Sequence, residues 1–137
     1  MEKKKRILLV DDDPDFVEIS RMILEASSYE VDAADSVALA LQQLEEKSYD
    51  LLIIDLMMEE RDSGFTLTYA VRSNERLRDL PILMLTSVEE KTGFSFKFSE
   101  DQEWMKVDDF AAKPLKPAEL VARIEKLTGK GAQDAKS

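Results

Sequence analysis

The side chains best suited to chemistry stand where short apolar runs of this sequence end. They are three acids, one hydroxyl and one ammonium group: Asp11, Asp12, Asp55, Thr86 and Lys113. Carboxylates held close together repel one another, and a bound divalent cation relieves that repulsion. Because the chain has no histidine or cysteine, an all-oxygen site of this kind suits Mg²⁺ or Mn²⁺.

The hydroxyl and the lysine are not required by a metal alone, but both would stabilise a bound anion. An aspartate can attack phosphorus and form an acyl phosphate. A divalent cation, the Lys113 ammonium and the Thr86 hydroxyl would then stabilise the charge on the transferring phosphoryl oxygens. The residue types therefore favour phosphoryl chemistry, provided that the fold brings the five side chains together.

Apolar runs of the kind found in buried strands alternate with segments of helical period. We expect strands at 7–10, 29–34, 51–54, 82–85 and 107–111, the last being the weakest. Asp13 and Pro14 suit the cap and first turn of a helix, and Ser36 suits the cap of a second. The pattern predicts a doubly wound α/β domain with a five-stranded parallel sheet. Its ligand is expected beyond the carboxyl ends of the strands.

Each predicted helix carries an apolar stripe that should face the sheet. The stripes are Phe16, Ile19, Ile23 and Ala26 in the first helix, Val37, Leu41 and Leu44 in the second, Leu67, Ala70, Val71 and Leu77 in the third, and Leu120, Val121, Ile124 and Leu127 in the last.

Composition excludes several classes of function. With 137 residues the chain suits one domain. The absence of histidine excludes Ser-His-Asp catalysis, histidine zinc sites and a phosphohistidine carrier. The net charge of −10 argues against nucleic-acid binding. We expect a cytoplasmic protein without a membrane segment, because there is no cysteine and no apolar run of about 18 residues.

Four segments, taken together and in this order, resemble the signatures of response-regulator receiver domains (CheY-like). They are Ile7–Pro14, Leu52–Met58, Leu85–Ser87 and Lys113–Pro114. The resemblance covers roughly residues 5 to 128 and implies a flavodoxin-like sheet of strand order 2-1-3-4-5. We expect a stand-alone receiver domain over 1–128 and a flexible tail over 129–137.

The resemblance also implies an acceptor and a metal site. Asp55 matches the phosphoacceptor, Asp12 matches the acid that ligates Mg²⁺ directly, and Asp11 matches its neighbour that acts through water. The backbone carbonyl of Met57 matches the third protein ligand. Asp13 is expected to cap the helix and to stay out of the metal site. Alternatively, Asp11 and Asp12 serve only as helix caps.

Three further positions match the family's switch. Lys113 matches the lysine that contacts the phosphoryl group, and Thr86 matches the hydroxyl that moves toward it. Phe110 matches the aromatic side chain whose rotation accompanies that movement. Each has a structural alternative: an exposed loop lysine, an ordinary threonine at a strand end, and a core phenylalanine.

Two segments depart from the family's pattern. In the loop after Asp55, Glu59 stands where proline is usual and Gly64 comes one residue late, so that residues 59–62 add charge near the acceptor. This loop either tunes metal affinity, repels a donor or is only solvated. The connection between Thr86 and Lys113 is longer than usual, with aromatic residues over 94–104. We therefore expect an atypical fourth-helix region, either covering the sheet or forming a partner surface.

These observations favour a signalling switch over two alternatives. The leading hypothesis is a two-component receiver that accepts a phosphoryl group from a histidine kinase and acts on a downstream protein target or phosphotransfer protein. Homodimer formation stays open. A phosphate-independent interaction module is the second hypothesis, and the intact residue set argues against it. A phosphohydrolase is disfavoured because Met57 stands where such enzymes commonly carry a second acid.

Overall fold

A computed structural model describes residues 5–55, 63–87, 108–113 and 116–128, without the side chains of 63–65, 86–87, 110 and 112–113. The strands are β1 (Arg6–Val10), β2 (Glu30–Ala34), β3 (Leu51–Asp55), β4 (Ile82–Ser87) and β5 (Asp109–Lys113). The described helices are α1 (Pro14–Ala26), α2 (Val37–Glu46), α3 (Ser63–Arg72) and α4 (Pro117–Thr128). The loop 59–62, the aromatic segment 94–104 and the tail 129–137 lie outside the described residues, so the expectations for them stay predictions.

The strands form one parallel sheet in the order β2-β1-β3-β4-β5. The order reverses direction at β1, since β2 lies on one side of it and β3 on the other. All strands point the same way, so that their carboxyl ends lie along one edge. The predicted parallel α/β fold of flavodoxin-like type is confirmed.

Helices cover both faces of the sheet, and this explains why the central strands are apolar at every position. All five residues of β3 are buried, as are Ile7–Val10 of β1. One core lies between the sheet and α2 and α3, and it includes Leu8, Leu52 and Leu67. The other lies against α1 and α4 and includes Leu9 and Ile124. The sheet is therefore doubly wound.

Two helices begin where the sequence predicts. The Asp13 side chain accepts hydrogen bonds from the backbone N–H groups of Asp15 and Phe16, at 3.1 and 3.4 Å. The Ser36 hydroxyl accepts from the N–H of Leu39 at 3.2 Å. Both residues satisfy N–H groups that a helix leaves without intrahelical partners. Among the described residues, no helix is long and apolar enough to cross a membrane.

Two helical predictions were wrong in detail. In α1, Phe16 and Ile23 pack against the core as predicted, but Ile19 is 58% exposed and Ala26 is also exposed. The most buried positions are Ser20 and Leu24, so packing against the sheet rotates the inner face away from Ile19. α3 ends at Arg72, so that Leu77 lies in the following turn, although it is still buried in the core.

The last two strands extend beyond their predicted ends. β4 reaches Ser87 and so extends past the predicted span of 82–85, and β5 covers Asp109–Lys113 rather than 107–111. The two strands pair as far as Ser87 with Lys113, which accounts for both extensions. Lys113 is therefore the final residue of a strand and not part of the loop after it.

Candidate metal and phosphoryl site

Three carboxylates converge at the carboxyl edge of the sheet. Oxygen atoms of Asp11, Asp12 and Asp55 all lie within 4.8 Å of one another. Asp11 and Asp55 are buried, at 2% and 6% exposure, whereas Asp12 is exposed. The prediction that these three acids meet is confirmed. Two of the three carboxylates are therefore buried at the ends of their strands, and the third, Asp12, lies at the surface.

The end of β1 and the start of α1 hold the first two acids. The N–H of Asp11 donates to the carbonyl of Ala34 at 3.0 Å, which continues the pairing of β1 with β2. One oxygen of Asp11 accepts from the N–H of Asp13 at 2.9 Å. Asp13 then caps α1, as predicted, so its carboxylate is occupied by the helix. The chain turns between these residues and leaves Asp12 at the surface.

Asp55 is positioned by the buried strand that it ends. It pairs with Leu85 of β4, and the four residues before it are fully or almost fully buried. β3 is also a central strand, paired with β1 on one side and with β4 on the other. Pairing on both edges therefore fixes the position of the Asp55 backbone relative to β4.

The backbone of the two predicted phosphate-contacting residues lies at the same edge. Thr86 comes one residue after Leu85, the partner of Asp55, and pairs with Ala112. Lys113 pairs with Ser87. Phe110 lies further from this edge, paired with Met84. The structure describes the backbone of Thr86, Lys113 and Phe110 but not their side chains, so their predicted roles stay predictions.

Met57 lies outside the described residues, and its carbonyl therefore stays a predicted ligand. Ser87 is a residue that the sequence analysis did not single out. It is a second hydroxyl-bearing residue at this edge, and only the pairing of β4 with β5 reveals that it lies opposite Lys113.

The three carboxylates fit a small divalent cation. Magnesium binds oxygen at about 2.1 Å, so two oxygens on one ion lie at most about 4.2 Å apart. The carboxylate oxygens lie within 4.8 Å of one another, so small side-chain rotations would bring them to the distances that one ion requires. Three carboxylates this close together, two of them buried, repel one another, and a bound divalent cation would relieve that repulsion. The donor set consists only of oxygen, which favours Mg²⁺ or Mn²⁺ over softer metals.

The family profile described as the response regulator receiver domain matches residues 7–125. Among curated relatives, the transcriptional regulatory protein GltR of Pseudomonas aeruginosa is 34% identical over 123 residues, which are 90% of this chain and 48% of that protein. The DNA-binding regulator RpaA of Synechocystis is 35% identical over 126 residues, covering 89% of this chain and 48% of that protein. The chain spans about half the length of these relatives.

Solved structures agree with this match. A putative response regulator from Chloroflexus aurantiacus superposes with a TM-score of 0.81 at 35% identity and covers 93% of this chain and 99% of its own. The receiver domain of sensor histidine kinase PA1611 from Pseudomonas aeruginosa has a TM-score of 0.79 at 26% identity, with 93% and 99% covered. That receiver has a magnesium ion coordinated in its active-site cleft.

Proposed function

Because this chain belongs to the response-regulator receiver family, we propose that it is a switch in which Asp55 accepts a phosphoryl group from a histidine kinase in a Mg²⁺-dependent reaction. One observation carries the proposal: Asp55 ends a buried strand with the carboxylates of Asp11 and Asp12 within 4.8 Å. A receiver is a phosphoryl acceptor rather than an enzyme with a separate substrate.

The residues divide the work of the transfer. A carboxylate oxygen of Asp55 attacks phosphorus, the new O–P bond forms as the P–N bond of the donor phosphohistidine breaks, and the imidazole leaves. Asp11, Asp12, Asp55 and the Met57 carbonyl would hold the cation. When bound, the cation neutralises charge on the phosphoryl oxygens. The Lys113 ammonium and the Thr86 hydroxyl would bind the same oxygens, and Phe110 would follow the movement of Thr86.

The output belongs to the same proposal. We expect the phosphorylated form to act through contacts with a downstream protein or a phosphotransfer protein. Relatives at 34–35% identity are transcriptional regulators about twice as long as this chain. It stays a prediction that this receiver acts as a stand-alone domain and does not contact nucleic acid. Its cytoplasmic location, the 1–128 domain boundary and the flexible tail over 129–137 also stay predictions.

The test is Mg²⁺-dependent modification by a small phosphoryl donor. We expect intact mass spectrometry to detect one added phosphoryl group after incubation with acetyl phosphate and Mg²⁺, and none after chelation. Asp55→Asn should remain unmodified because it lacks the nucleophile. Asp13→Asn is the matched control, since it removes a neighbouring charge but retains a helix-capping oxygen.

Lack of modification would count against the proposal if a control receiver reacts in the same mixture. A phosphohistidine donor should then be tried in place of acetyl phosphate. Failure with both donors would favour a phosphate-independent interaction module. Modification that persists in Asp55→Asn would place the acceptor elsewhere.

A further inference from the structure

The residue before β5 clamps the first residue of β4. The N–H of Asp108 donates to the carbonyl of Ile82 at 3.0 Å, and the Asp108 carboxylate accepts from the N–H of Ile82 at 2.8 Å. Both backbone polar groups of Ile82 are therefore bound by one residue. The carboxylate takes the place of a strand carbonyl, so that the ladder between the two strands begins with a side chain.

The same arrangement occurs where β3 joins β1. The N–H of Asp50 donates to the carbonyl of Arg6 at 2.7 Å, and the Asp50 carboxylate accepts from the N–H of Arg6 at 2.8 Å. In both cases an aspartate directly before a strand holds the first residues of its neighbour. The two clamps differ in what else determines the register of the strand that follows.

The register of β3 is held by pairing on two sides, whereas that of β5 is held on one side. β3 is a central strand that pairs with both β1 and β4, so a slip of one residue would break two ladders of hydrogen bonds. Among the described strands, β5 lies at the edge of the sheet and pairs with β4. In the sequence, residues 88–107 stand between β4 and Asp108, so the two strands are not joined by a short connection that would set the register. Polar contacts at the start of β5 therefore contribute more to fixing its register.

Two arginines, one from each helical layer, hold the first acids of this strand. Arg72 of α3 lies 3.0 Å from the Asp108 carboxylate and also donates to the carbonyl of Leu80 at 2.6 Å. Arg123 of α4 lies 2.7 Å from the Asp109 carboxylate. The side chain of Arg72 is 16% exposed. A slip of β5 by one residue in either direction would break at least one of these ion pairs.

The register of β5 determines where Lys113 lies relative to the acidic site. In the observed register Lys113 pairs with Ser87, at the edge where Asp55 ends its strand. A one-residue slip would move Lys113 along its strand, toward or away from this edge, and would turn the side chains of β5 to the opposite face. We propose that Asp108, held by Arg72, is a positioning residue for phosphoryl acceptance, because it fixes the register that brings Lys113 to Asp55. This inference rests on the proposed function.

The experiment compares phosphorylation rates at saturating Mg²⁺ across a series of acetyl phosphate concentrations. We expect Asp108→Ala to lower the pseudo-first-order rate roughly tenfold, since a misplacement of about 1 Å in a group that orients the reactants can cost up to about a hundredfold and a partial shift of Lys113 should cost less. Its Mg²⁺ dissociation constant, from calorimetry, should remain within about twofold of wild type, because the metal-site carboxylates lie on β1 and β3. Asp108→Asn keeps an acceptor for Ile82 but loses the ion pair, and it should show a smaller effect.

A double-mutant cycle separates positioning from general loosening. If Asp108 acts through Lys113, then Asp108→Ala should have no further effect on the rate in a Lys113→Ala background. Asp50→Ala is the matched control: it removes the equivalent clamp from a central strand that two neighbouring strands hold in register, and it should leave the rate unchanged. Amide hydrogen exchange at Ile82 should accelerate in Asp108→Ala. All variants are compared where urea titration shows that they are folded.

Three results would overturn the inference. They are a wild-type rate in Asp108→Ala, an equal loss in the Lys113→Ala background, and a parallel loss of Mg²⁺ affinity. An equal loss in the Lys113→Ala background would mean that Asp108 does not act through Lys113, and a parallel loss of Mg²⁺ affinity would mean that it acts on the metal site. If wild type itself accepts no phosphoryl group from any donor, the proposed function fails first and this inference fails with it.

Discussion

At the scale of the residue, the three carboxylates that would bind the cation also repel one another and so destabilise the fold when no cation is bound. Asp11 and Asp55 are buried, and Asp11 also accepts a backbone hydrogen bond from Asp13, so changing either one alters more than charge. Asp12, by contrast, is exposed. Its charge repels two neighbours within 4.8 Å unless a cation binds. Asp12 is therefore the position at which the destabilisation by charge repulsion and the stabilisation by Mg²⁺ binding can be measured separately.

We predict that Asp12→Asn stabilises the protein when metal is absent and abolishes the stabilisation by Mg²⁺. Two charges about 5 Å apart in water repel by about 1 kcal/mol, so the free energy of unfolding should rise by up to about that amount. In wild type, Mg²⁺ should raise it by mass action. Urea titrations with EDTA and with excess Mg²⁺ measure both effects. A variant that is less stable in EDTA would mean that Asp12 makes a stabilising contact that outweighs the repulsion.

At the scale of the element, α1 ends in a motif that the sequence does not fully optimise. The N–H of Tyr29 donates to the carbonyl of Leu24 at 3.0 Å, and that of Ser28 donates to the carbonyl of Glu25 at 3.1 Å. This is the Schellman pattern, with Tyr29 and Leu24 in the same core cluster. Ser28 has φ of 74°, where glycine is usual and a side chain is strained.

Ser28→Gly should stabilise the fold. Relief of the left-handed strain is worth about 1–2 kcal/mol, and the extra freedom of glycine in the unfolded chain offsets about 0.5–1 kcal/mol of it. We expect a net gain of about 0.5–1 kcal/mol in the free energy of unfolding by urea titration. Ser27→Gly is the control, since Ser27 has φ of −96° and should gain nothing. Equal effects of both substitutions would contradict this explanation.

A polar network joins the edge strand β2 to α2 and to the segment before β3. The Tyr49 hydroxyl donates to the Asp32 carboxylate at 2.7 Å, and Lys47 lies 3.2 Å from the same carboxylate. Burial raises the pKa of Asp32, but the hydrogen bonds from Tyr49 and Lys47 more than offset it, so that this pKa lies below its ordinary value. Burial and the bond to Asp32 raise the pKa of Tyr49.

Tyr49→Phe should reduce stability at pH 7 by about 1 kcal/mol, after allowance for the partial exposure of Asp32. A depressed carboxyl pKa contributes stability above the unfolded pKa and loses it as pH falls through the folded pKa. The difference between wild type and variant should therefore shrink as the pH falls below the ordinary aspartate pKa of 3.8. Urea titrations between about pH 2.5 and 7 cover this range. A difference that persists in acid would assign the effect to packing.

At the scale of the whole molecule, the alternation of apolar runs and helices sufficed to predict the fold class. Strands buried on both faces leave a clear signal, and their ends then predict which acids meet. Details set by long-range packing left no such signal. The choice of Ser20 and Leu24 over Ile19 as the inner face of α1 depends on the sheet beneath it. Likewise, Asp108 meets Arg72 only because β4 and β5 bring α3 and the start of β5 together.

The net charge of −10 predicts how the whole fold responds to salt. General repulsion opposes the compact state, and screening should reduce it. We expect the free energy of unfolding to rise, on the order of 1 kcal/mol, as NaCl increases from about 0.01 to 0.15 M and the Debye length falls from about 30 to 8 Å. Urea titrations in EDTA measure this effect of salt without a bound divalent metal. Repeating them with KCl in place of NaCl controls for the identity of the salt cation. A decrease with salt would show that specific pairs such as Arg72–Asp108 and Arg123–Asp109 outweigh the general repulsion. In that case screening would weaken the contacts at the start of β5 before it weakened the buried strands.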